Sequence, residues 1–281
     1  MILVDLSQIM VASTMMSLNG ETKADVNMVR HMILNTLRMY RKKYVNEYGE
    51  LILCCDGKHS WRREHFAPYK ASRKSGRATS PLDWNQIFEC FNTIKSELKE
   101  FFPYKYLEVD TAEADDIIGI LAKKNVGTTE KVMIISGDKD FIQLQSGNNV
   151  HQYSPITKKL IAHKDPSTYL KEHILRGDTS DGVPNFLSSD TCIIDKVRQT
   201  PISKKKLSVW LEQEPEDFCT DEQLRNYHRN KKLIDLSQTP ENIVDAVNVQ
   251  FGETPKGKRS GLLTFFVERK LNNLIQDIGE F

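Results

Sequence analysis

Short apolar segments alternate with amphipathic segments along the first 165 residues of the chain. Continuous apolar runs predict buried strands at 2–5 (ILVD), 51–56 (LILCCD), 104–109 and 131–136 (KVMIIS). Apolar residues at helical spacing predict a short first helix that ends near residue 16, followed by helices at 25–48, 83–102 and 115–124. Continuous apolar strands separated by helices are typical of a parallel sheet that is covered on both faces.

Two segments depart from this alternation. Residues 57–82 are polar, contain Gly57, Pro68, Gly76 and Pro81, and show no apolar stripe, so we expect a mobile or functional segment. After residue 184 the pattern predicts helices only, the last at 262–278. We therefore predict an α/β fold with a central, mostly parallel, twisted sheet flanked by helices. Its regions would be a core at 1–185 and an all-helical C-terminal region at 186–281.

Acidic residues follow the ends of the predicted strands. The nine residues are Asp5, Asp56, Glu113, Asp115, Asp116, Asp138, Asp140, Asp178 and Asp181. Ligands bind outside the carboxyl ends of parallel strands, and so many carboxylates at one edge require cations, because like charges raise each other's pKa. Taken singly, each acid could cap a helix or shape a turn. Acids at the ends of successive strands, taken together, indicate a metal-binding site.

No thiolate or histidine pattern accompanies these acids. Oxygen ligands favour a hard cation, Mg²⁺ or Mn²⁺. Two such ions suit in-line attack on a phosphodiester. The sequence therefore predicts a two-metal site for phosphodiester hydrolysis.

The basic residues are also clustered, although 39 Lys+Arg against 38 Asp+Glu give a net charge of only +1. Residues 58–77 hold seven basic residues and one acid, with Trp61, Phe66 and Tyr69 interleaved as stacking surfaces, and residues 196–206 hold five basic residues and no acid. These segments predict binding to nucleic acid; the alternative is that both are simply solvated surface. The predicted nucleic-acid contacts are Lys58, Arg62, Arg63, Tyr69, Lys74, Arg77, Lys196, Arg198, Lys204, Lys205 and Lys206.

The five cysteines include no C-x-x-C pair, which indicates free thiols in a reducing compartment. Asp5 interrupts the apolar N-terminus, and no apolar run approaches the roughly 20 residues of a membrane span. We therefore expect a cytoplasmic protein.

The ordered acids, together with LVDLSQI, MVRHMILN, WRR, KVMIISGDKDF and TFFVERKLNNLIQDIGEF, resemble the 5′-nuclease family, and most closely its phage ribonuclease H branch. This family includes flap endonucleases, the 5′-exonuclease domains of bacterial DNA polymerases and phage 5′-exonucleases. The resemblance implies that residues 57–82 form a helical arch, through or under which a single-stranded 5′ end passes. It also implies a first metal site at Asp5, Asp56, Glu113, Asp115 and Asp116, and a second at Asp138, Asp140, Asp178 and Asp181.

The segment Tyr69-Lys70-Ala71-Ser72-Arg73 matches the Y-K-x-x-R motif of the family. This match implies that Lys70 and Arg73 are catalytic cations that reach the scissile phosphate. One segment departs from the family: Gly182-Val183-Pro184 continues as NFLSSD and lacks the G-x-G spacing of a hairpin that often binds K⁺. The sequence therefore does not decide whether a K⁺ site is present.

The resemblance implies a Mg²⁺-dependent 5′→3′ exonuclease and flap endonuclease that acts on DNA and RNA–DNA hybrids and removes RNA primers and 5′ flaps during replication. We expect a monomer, with a single-strand binding protein and a sliding clamp as candidate partners. Three alternatives stay open: a PIN-type single-strand RNase, a phosphohydrolase with a D-x-D nucleophile, and a non-catalytic structure-specific DNA-binding module. Residues 259–266 (RSGLLTFF) faintly resemble a clamp-binding box, but we favour core packing of Leu262, Leu263, Phe265 and Phe266.

Overall fold

A computed structural model describes residues 1–281 as six strands and thirteen α-helices. In chain order these are β1 (Ile2–Asp5), α1 (Leu6–Leu18), α2 (Val26–Tyr48), β2 (Leu51–Cys55), α3 (Trp61–His65), α4 (Ala71–Ala78), α5 (Trp84–Phe101), β3 (Lys105–Glu108), α6 (Ala114–Asn125), β4 (Val132–Ile135), β5 (Val150–Ser154), β6 (Lys159–Ile161), α7 (Pro166–Arg176), α8 (Lys204–Leu211), α9 (Pro215–Phe218), α10 (Asp221–Ile234), α11 (Glu241–Gly252), α12 (Leu262–Glu268) and α13 (Asn272–Ile275). Short 3₁₀ helices lie at Lys139–Leu144, Leu236–Gln238, Arg259–Gly261 and Ile278–Glu280.

The sheet has the strand order β3-β2-β1-β4-β5-β6, and every neighbouring pair is parallel except β5 with β6. The predicted α/β fold is confirmed. The sequence pattern missed β5 and β6, since β5 alternates buried and half-buried residues and β6 lies exposed at the edge. The strand order reverses between β1 and β4, and this switch point opens a crevice at their carboxyl ends, where α/β folds bind ligands.

Aspartates begin the long helices at the predicted positions. Asp25 accepts a hydrogen bond from the N–H of Asn27 (2.7 Å) at the start of α2, and Asp83 accepts one from Gln86 (3.1 Å) at the start of α5. Gly49, with φ 84°, ends α2 and returns the chain into β2. These caps fix the crossovers that hold β1, β2 and β3 parallel.

Helices cover both faces of the sheet. Ile2 and Val4 of β1 point into one hydrophobic cluster beneath α2 and α5, whereas Leu3 points into a second cluster beneath α6. Cys55 and Cys54 divide between the same two clusters, as alternation along a strand requires. All five cysteines are free thiols.

The C-terminal region packs on both of these faces. Phe265 and Phe266 complete the first cluster, and Ile243 and Val247 complete the second. The C-terminal region thus packs its apolar surface against the sheet. A domain boundary at residue 185 therefore stays a prediction. Of the four residues expected in the core near the end of the chain, Leu262, Phe265 and Phe266 are buried, whereas Leu263 is half-exposed and was predicted wrongly.

The continuous helix predicted at 262–278 is also wrong, because the chain breaks after α12. Lys270 takes a left-handed conformation (φ 56°), and the N–H of Leu271 donates back to the carbonyl of Phe266 (2.8 Å). This pattern caps a helix end. The rest of the chain forms α13 and a 3₁₀ turn.

Residues 57–82 contain two short helices rather than an unanchored loop. Trp61, Phe66 and Tyr69 are only 3–5% exposed, so apolar contacts anchor this segment although its sequence shows no apolar stripe. Phe66 and Tyr69 join Phe186 and Ile234 in a third hydrophobic cluster beside α7 and α10. Helix α4, in contrast, buries no side chain. None of the helices combines the length and apolar character that a membrane crossing requires.

Candidate metal centre

Carboxylates lie on both sides of the switch point between β1 and β4. Asp5 ends β1; it accepts hydrogen bonds from the N–H of Gln8 (3.0 Å) and the hydroxyl of Ser136 (3.0 Å), the residue that follows β4. Burial raises the pKa of Asp5 to about 7, and the fields of Asp56 and Asp138 add to the rise. The acids that end β1, β2 and β4 therefore share one crevice.

Asp115, in the first turn of α6, belongs to the same group. Burial raises its pKa well above the ordinary value, and Asp138 and Asp5 raise it further, while Lys70 opposes them. Asp56 stays exposed, with one oxygen accepting from the N–H of Ala114 (2.9 Å). Buried carboxylates that repel one another form a donor set that suits a hard divalent cation.

Asp116 was predicted as a metal ligand, and the structure contradicts this. Its carboxylate is fully buried and accepts hydrogen bonds from five donors. Arg62 approaches both oxygens (2.8 and 2.9 Å); the other donors are the indole N–H of Trp61 (3.1 Å), the hydroxyl of Thr239 (3.0 Å) and the backbone N–H of Glu113 (2.9 Å). An ionised carboxylate has about four acceptor sites, so none is left for a metal.

Arg62 and Tyr69 were predicted to contact nucleic acid, but both lie in the interior. Arg62 is 2% exposed; its guanidinium pairs with Asp116 and Glu113 and donates to the carbonyl of Leu233 (2.8 Å). The hydroxyl of Tyr69 lies 2.7 Å from Glu113 Oε2. Trp61, Phe66 and Tyr69 are therefore anchors of the arch rather than stacking surfaces for bases.

Two cations, Lys70 and Arg62, compensate the negative charge of Glu113. Lys70 Nζ lies 2.6 Å from its Oε1, and Arg62 Nη1 lies 3.0 Å from its Oε2. Burial alone would raise the pKa of Glu113, but Lys70 and Arg62 outweigh it and lower the pKa. Glu113 thus connects residues 57–82, through Lys70 and Arg62, to the start of α6 and the candidate metal centre.

Both predicted catalytic cations face Asp181. Lys70 Nζ lies 3.4 Å from Asp181 Oδ2, Arg73 Nη2 lies 2.7 Å from Asp181 Oδ1, and the backbone N–H of Lys70 donates to the carbonyl of Asp181 (2.7 Å). Lys70 is buried, whereas the side chain of Arg73 is about half exposed. Gly182, with φ 75°, allows this contact, because a Cβ there would meet the carbonyl of Pro68 at 2.9 Å.

A histidine that the sequence analysis did not select completes the site. His173, in the last turn of α7, lies between Asp140 and Asp178, and ligand atoms of the three residues are within 4.8 Å of one another. Burial and Asp138 raise the pKa of Asp140 to about 7, although His173 opposes the rise. Burial would likewise raise the pKa of Asp178, but the nearby imidazole of His173 and the hydrogen bonds from Ser180 hold this pKa well below its usual range.

The sequence analysis did not predict α7, although Asp165-Pro166 and Gly177, which mark its ends, are signals that could have placed His173 in a helix. They could not show that the 3₁₀ helix after β4 brings Asp140 opposite this imidazole. Asp116 therefore supports the crevice from inside, whereas the other eight acids stay the predicted metal ligands.

The remaining predicted nucleic-acid contacts are exposed. They are Lys58, Arg63, Lys74, Arg77, Lys196, Arg198, Lys204, Lys205 and Lys206. Lys58 also borders an open groove of about 460 Å³ that begins at Asp56 and is lined by Lys95 and Lys99. Lys58, Lys95 and Lys99 thus lie beside Asp56, one of the acids at the strand ends.

Comparisons with known proteins agree with this geometry. Residues 1–174 match the family described as 5′-3′ exonuclease, N-terminal resolvase-like domain, and residues 166–281 match the T4 RNase H C-terminal family. The chain is 32% identical to the ribonuclease H of Enterobacteria phage T4, over 99% of this chain and 95% of that protein. It is 34% identical to a 5′-3′ exonuclease of Buchnera aphidicola subsp. Schizaphis graminum, over 54% of this chain and 53% of that protein.

Solved structures share the fold. The phage T5 D15 protein, co-crystallised with metal ions, matches with a TM-score of 0.63 at 17% identity, over 89% of this chain and 97% of that one. A complex of the T5 D15 flap endonuclease with DNA and metal ions matches with a TM-score of 0.64. At this level of identity the likeness concerns the fold alone.

Proposed function

The chain belongs to the 5′-3′ exonuclease family, and from this membership we propose that it is a Mg²⁺-dependent 5′→3′ exonuclease and flap endonuclease. Its substrates are DNA and RNA–DNA hybrids with a free or flapped 5′ end, so that it removes RNA primers and 5′ flaps during replication. One observation carries the proposal. The buried carboxylate of Asp5 and the partly buried carboxylates of Asp115 and Asp140 repel their neighbours at the switch point, beside the cations Lys70 and Arg73.

Eight carboxylates are the proposed metal ligands. They are Asp5, Asp56, Glu113 and Asp115 for one ion, and Asp138, Asp140, Asp178 and Asp181 for the other. When bound, two divalent ions lower the pKa of a water molecule and neutralise charge on the phosphoryl oxygens. The fit rests on the donors themselves, which are oxygen-rich, largely buried and mutually repelling.

Lys70 and Arg73 stabilise the charge that develops on the phosphate. Lys70 is held in place by Glu113 and Asp181, so little reorganisation is needed when the phosphate arrives. Arg73 is exposed enough to exchange part of its contact with Asp181 for a phosphate oxygen. Exposed cations on α4 and in residues 196–206 attract the backbone of the substrate.

The experiment is cleavage of a 5′-labelled flap and a 5′-labelled RNA primer duplex by the purified protein, with Mg²⁺ or with EDTA. We expect cleavage that requires Mg²⁺ and falls at least about 100-fold in Asp138→Asn and in Asp56→Asn, which corresponds to about 3 kcal/mol of transition-state stabilisation. Asp245→Asn on the exposed face of α11 is the matched control and should cleave like the parent.

Other outcomes identify the alternatives. An intact DNA flap together with cleaved loop RNA indicates a PIN-type RNase, and an aspartyl-phosphate indicates a phosphohydrolase. Unchanged substrates with retained, salt-sensitive binding indicate a non-catalytic DNA-binding module. Equal cleavage by Asp138→Asn, Asp56→Asn and the parent contradicts the two-metal assignment.

A further inference from the structure

His173 occupies a position between two of the proposed metal ligands. Its Nδ1 lies 3.3 Å from Asp140 Oδ1 and its Nε2 lies 3.7 Å from Asp178 Oδ2. The three side chains come from separate elements: the 3₁₀ helix after β4, the last turn of α7 and the loop after Gly177. An imidazole with a carboxylate at each nitrogen can bind a metal through one nitrogen while the other donates its N–H, the usual arrangement of a ligating histidine.

The two carboxylates keep oxygens available for an ion. Asp178 Oδ1 is already occupied by the backbone N–H (2.8 Å) and hydroxyl (2.6 Å) of Ser180, which leaves Oδ2 facing His173. The carboxylate of Asp140 accepts no hydrogen bond from any backbone group and has His173 as its one cationic partner. The ring of His173 packs edge-on against Tyr169, with 6.0 Å between the centroids, so its orientation is supported from the side.

We infer that His173 is a nitrogen ligand of the divalent ion held by Asp140 and Asp178, and that it makes this half of the centre prefer Mn²⁺ to Mg²⁺. The inference rests on the proposed function, since it concerns one of its two ions. Carboxylates suit Mg²⁺ and Mn²⁺ alike, so the carboxylates of the site give no reason for a preference. Imidazole nitrogen is a ligand of first-row transition-metal ions, of which Mn²⁺ is one, whereas Mg²⁺ favours oxygen ligands and water, so the imidazole is the group that would discriminate.

The competing interpretation is that His173 is a built-in counter-ion for the two aspartates. The two interpretations predict opposite effects of removing the imidazole. Loss of a ligand weakens Mn²⁺ binding, whereas loss of a competing cation strengthens it. Metal affinity, measured without substrate, therefore decides between them.

The experiment compares the parent protein with His173→Gln, His173→Asp and the control His228→Gln, which removes an exposed histidine of α10. Mn²⁺ binding is followed by electron paramagnetic resonance, and Mg²⁺ binding by titration calorimetry. We expect His173→Gln to weaken one Mn²⁺ site by at least about tenfold, the lower end of what loss of a ligand-orienting partner costs, with little change for Mg²⁺. His173→Asp should lower the preference for Mn²⁺ over Mg²⁺, and His228→Gln should match the parent.

A second measurement needs no variant. In the full-length parent labelled with ¹⁵N-histidine, electron spin echo modulation from ¹⁵N coupled to bound Mn²⁺ is the expected signature of ligation. Its absence, or unchanged or tighter Mn²⁺ binding by His173→Gln, overturns the inference. Flap cleavage by the parent with Mg²⁺ is assayed in parallel. If the parent cleaves but shows no His173 ligation, only the role of His173 fails. If the parent neither binds Mn²⁺ nor cleaves, the proposed function fails as well.

Discussion

Arg62 and Asp116 form a two-pronged ion pair in the interior, with Nη2 2.8 Å from Oδ1 and Nη1 2.9 Å from Oδ2. The side chain of Arg62 is 3% exposed and that of Asp116 is fully buried. Arg62 also pairs with Glu113, so one guanidinium joins the base of the arch to the start of α6. Removing one partner of such a pair leaves an uncompensated buried charge.

We therefore expect Arg62→Ala to lower the free energy of unfolding by about 3–5 kcal/mol, the cost of breaking a buried ion pair. Its neighbour Arg63 is exposed, so Arg63→Ala should change stability by less than about 0.5 kcal/mol while it weakens salt-dependent DNA binding. Urea unfolding and DNA binding at several salt concentrations measure the two effects. Equal stability of the two variants would show that the buried pair is not formed.

Adjacent acids at the start of α6 should behave oppositely when their charge is removed. Asp116→Asn loses the charge that holds Arg62, so we expect a loss of stability. Asp115→Asn relieves repulsion by Asp138 and Asp5, so the metal-free protein should become more stable while cleavage with Mg²⁺ is lost. Thermal unfolding in EDTA and flap cleavage test this pair. A stable, inactive Asp116→Asn protein would return Asp116 to the metal ligands.

Local pattern was enough to predict strands β1 to β4 and the acids that follow their ends, but not β5 and β6. The strands are apolar runs, and parallel strands bring Asp5, Asp56 and Asp138 to one edge whatever the loops do. The role of Asp116 could not be predicted, because it depends on Arg62 in the arch and on Thr239, which lies 123 residues away in the sequence. The burial of Tyr69 is also a long-range effect, since its partner Asp181 lies 112 residues away.

Stability should depend on pH in a direction set by the buried acids. The pKa values of Asp5 and Asp140 are about 7 against an ordinary 3.8, so the folded state holds protons there that the unfolded state releases between about pH 4 and 7. The unfolded state binds fewer protons in this window, and stability of the metal-free protein therefore falls as pH rises through it. Asp178, whose pKa is lowered, contributes stability that is lost only at lower pH.

Divalent ions should reverse the loss of stability that the metal-free protein shows as pH rises. We expect Mg²⁺ to raise the unfolding midpoint more at pH 8 than at pH 5.5, because the ion replaces protons on these carboxylates. Asp5→Asn should flatten the pH profile in EDTA and raise the midpoint at pH 8 by at least about 3 °C, which corresponds to about 1 kcal/mol in a protein of this size. A midpoint in EDTA that rises from pH 5.5 to pH 8 would contradict the assignment of buried, repelling acids.

Lys70 should contribute to the chemical step rather than to binding. Its Nζ lies 2.6 Å from Glu113 Oε1, so Lys70→Met keeps the aliphatic stem but removes the cation nearest the crevice. We expect the single-turnover rate of flap cleavage to fall by about 100- to 1,000-fold, as for loss of one preorganised donor, with DNA affinity nearly unchanged.

Lys74→Met on the exposed helix α4 is the matched control. It should lower the slope of log affinity against log salt by about 1 and leave the single-turnover rate at saturating protein unchanged. Thermal unfolding of both variants separates loss of rate from loss of folding, since Lys70 also balances the buried charge of Glu113. If a folded Lys70→Met protein cleaves at the parental rate, the cation acts only on the structure of the arch. If both variants lose affinity equally, Lys70 is one of the surface phosphate contacts instead.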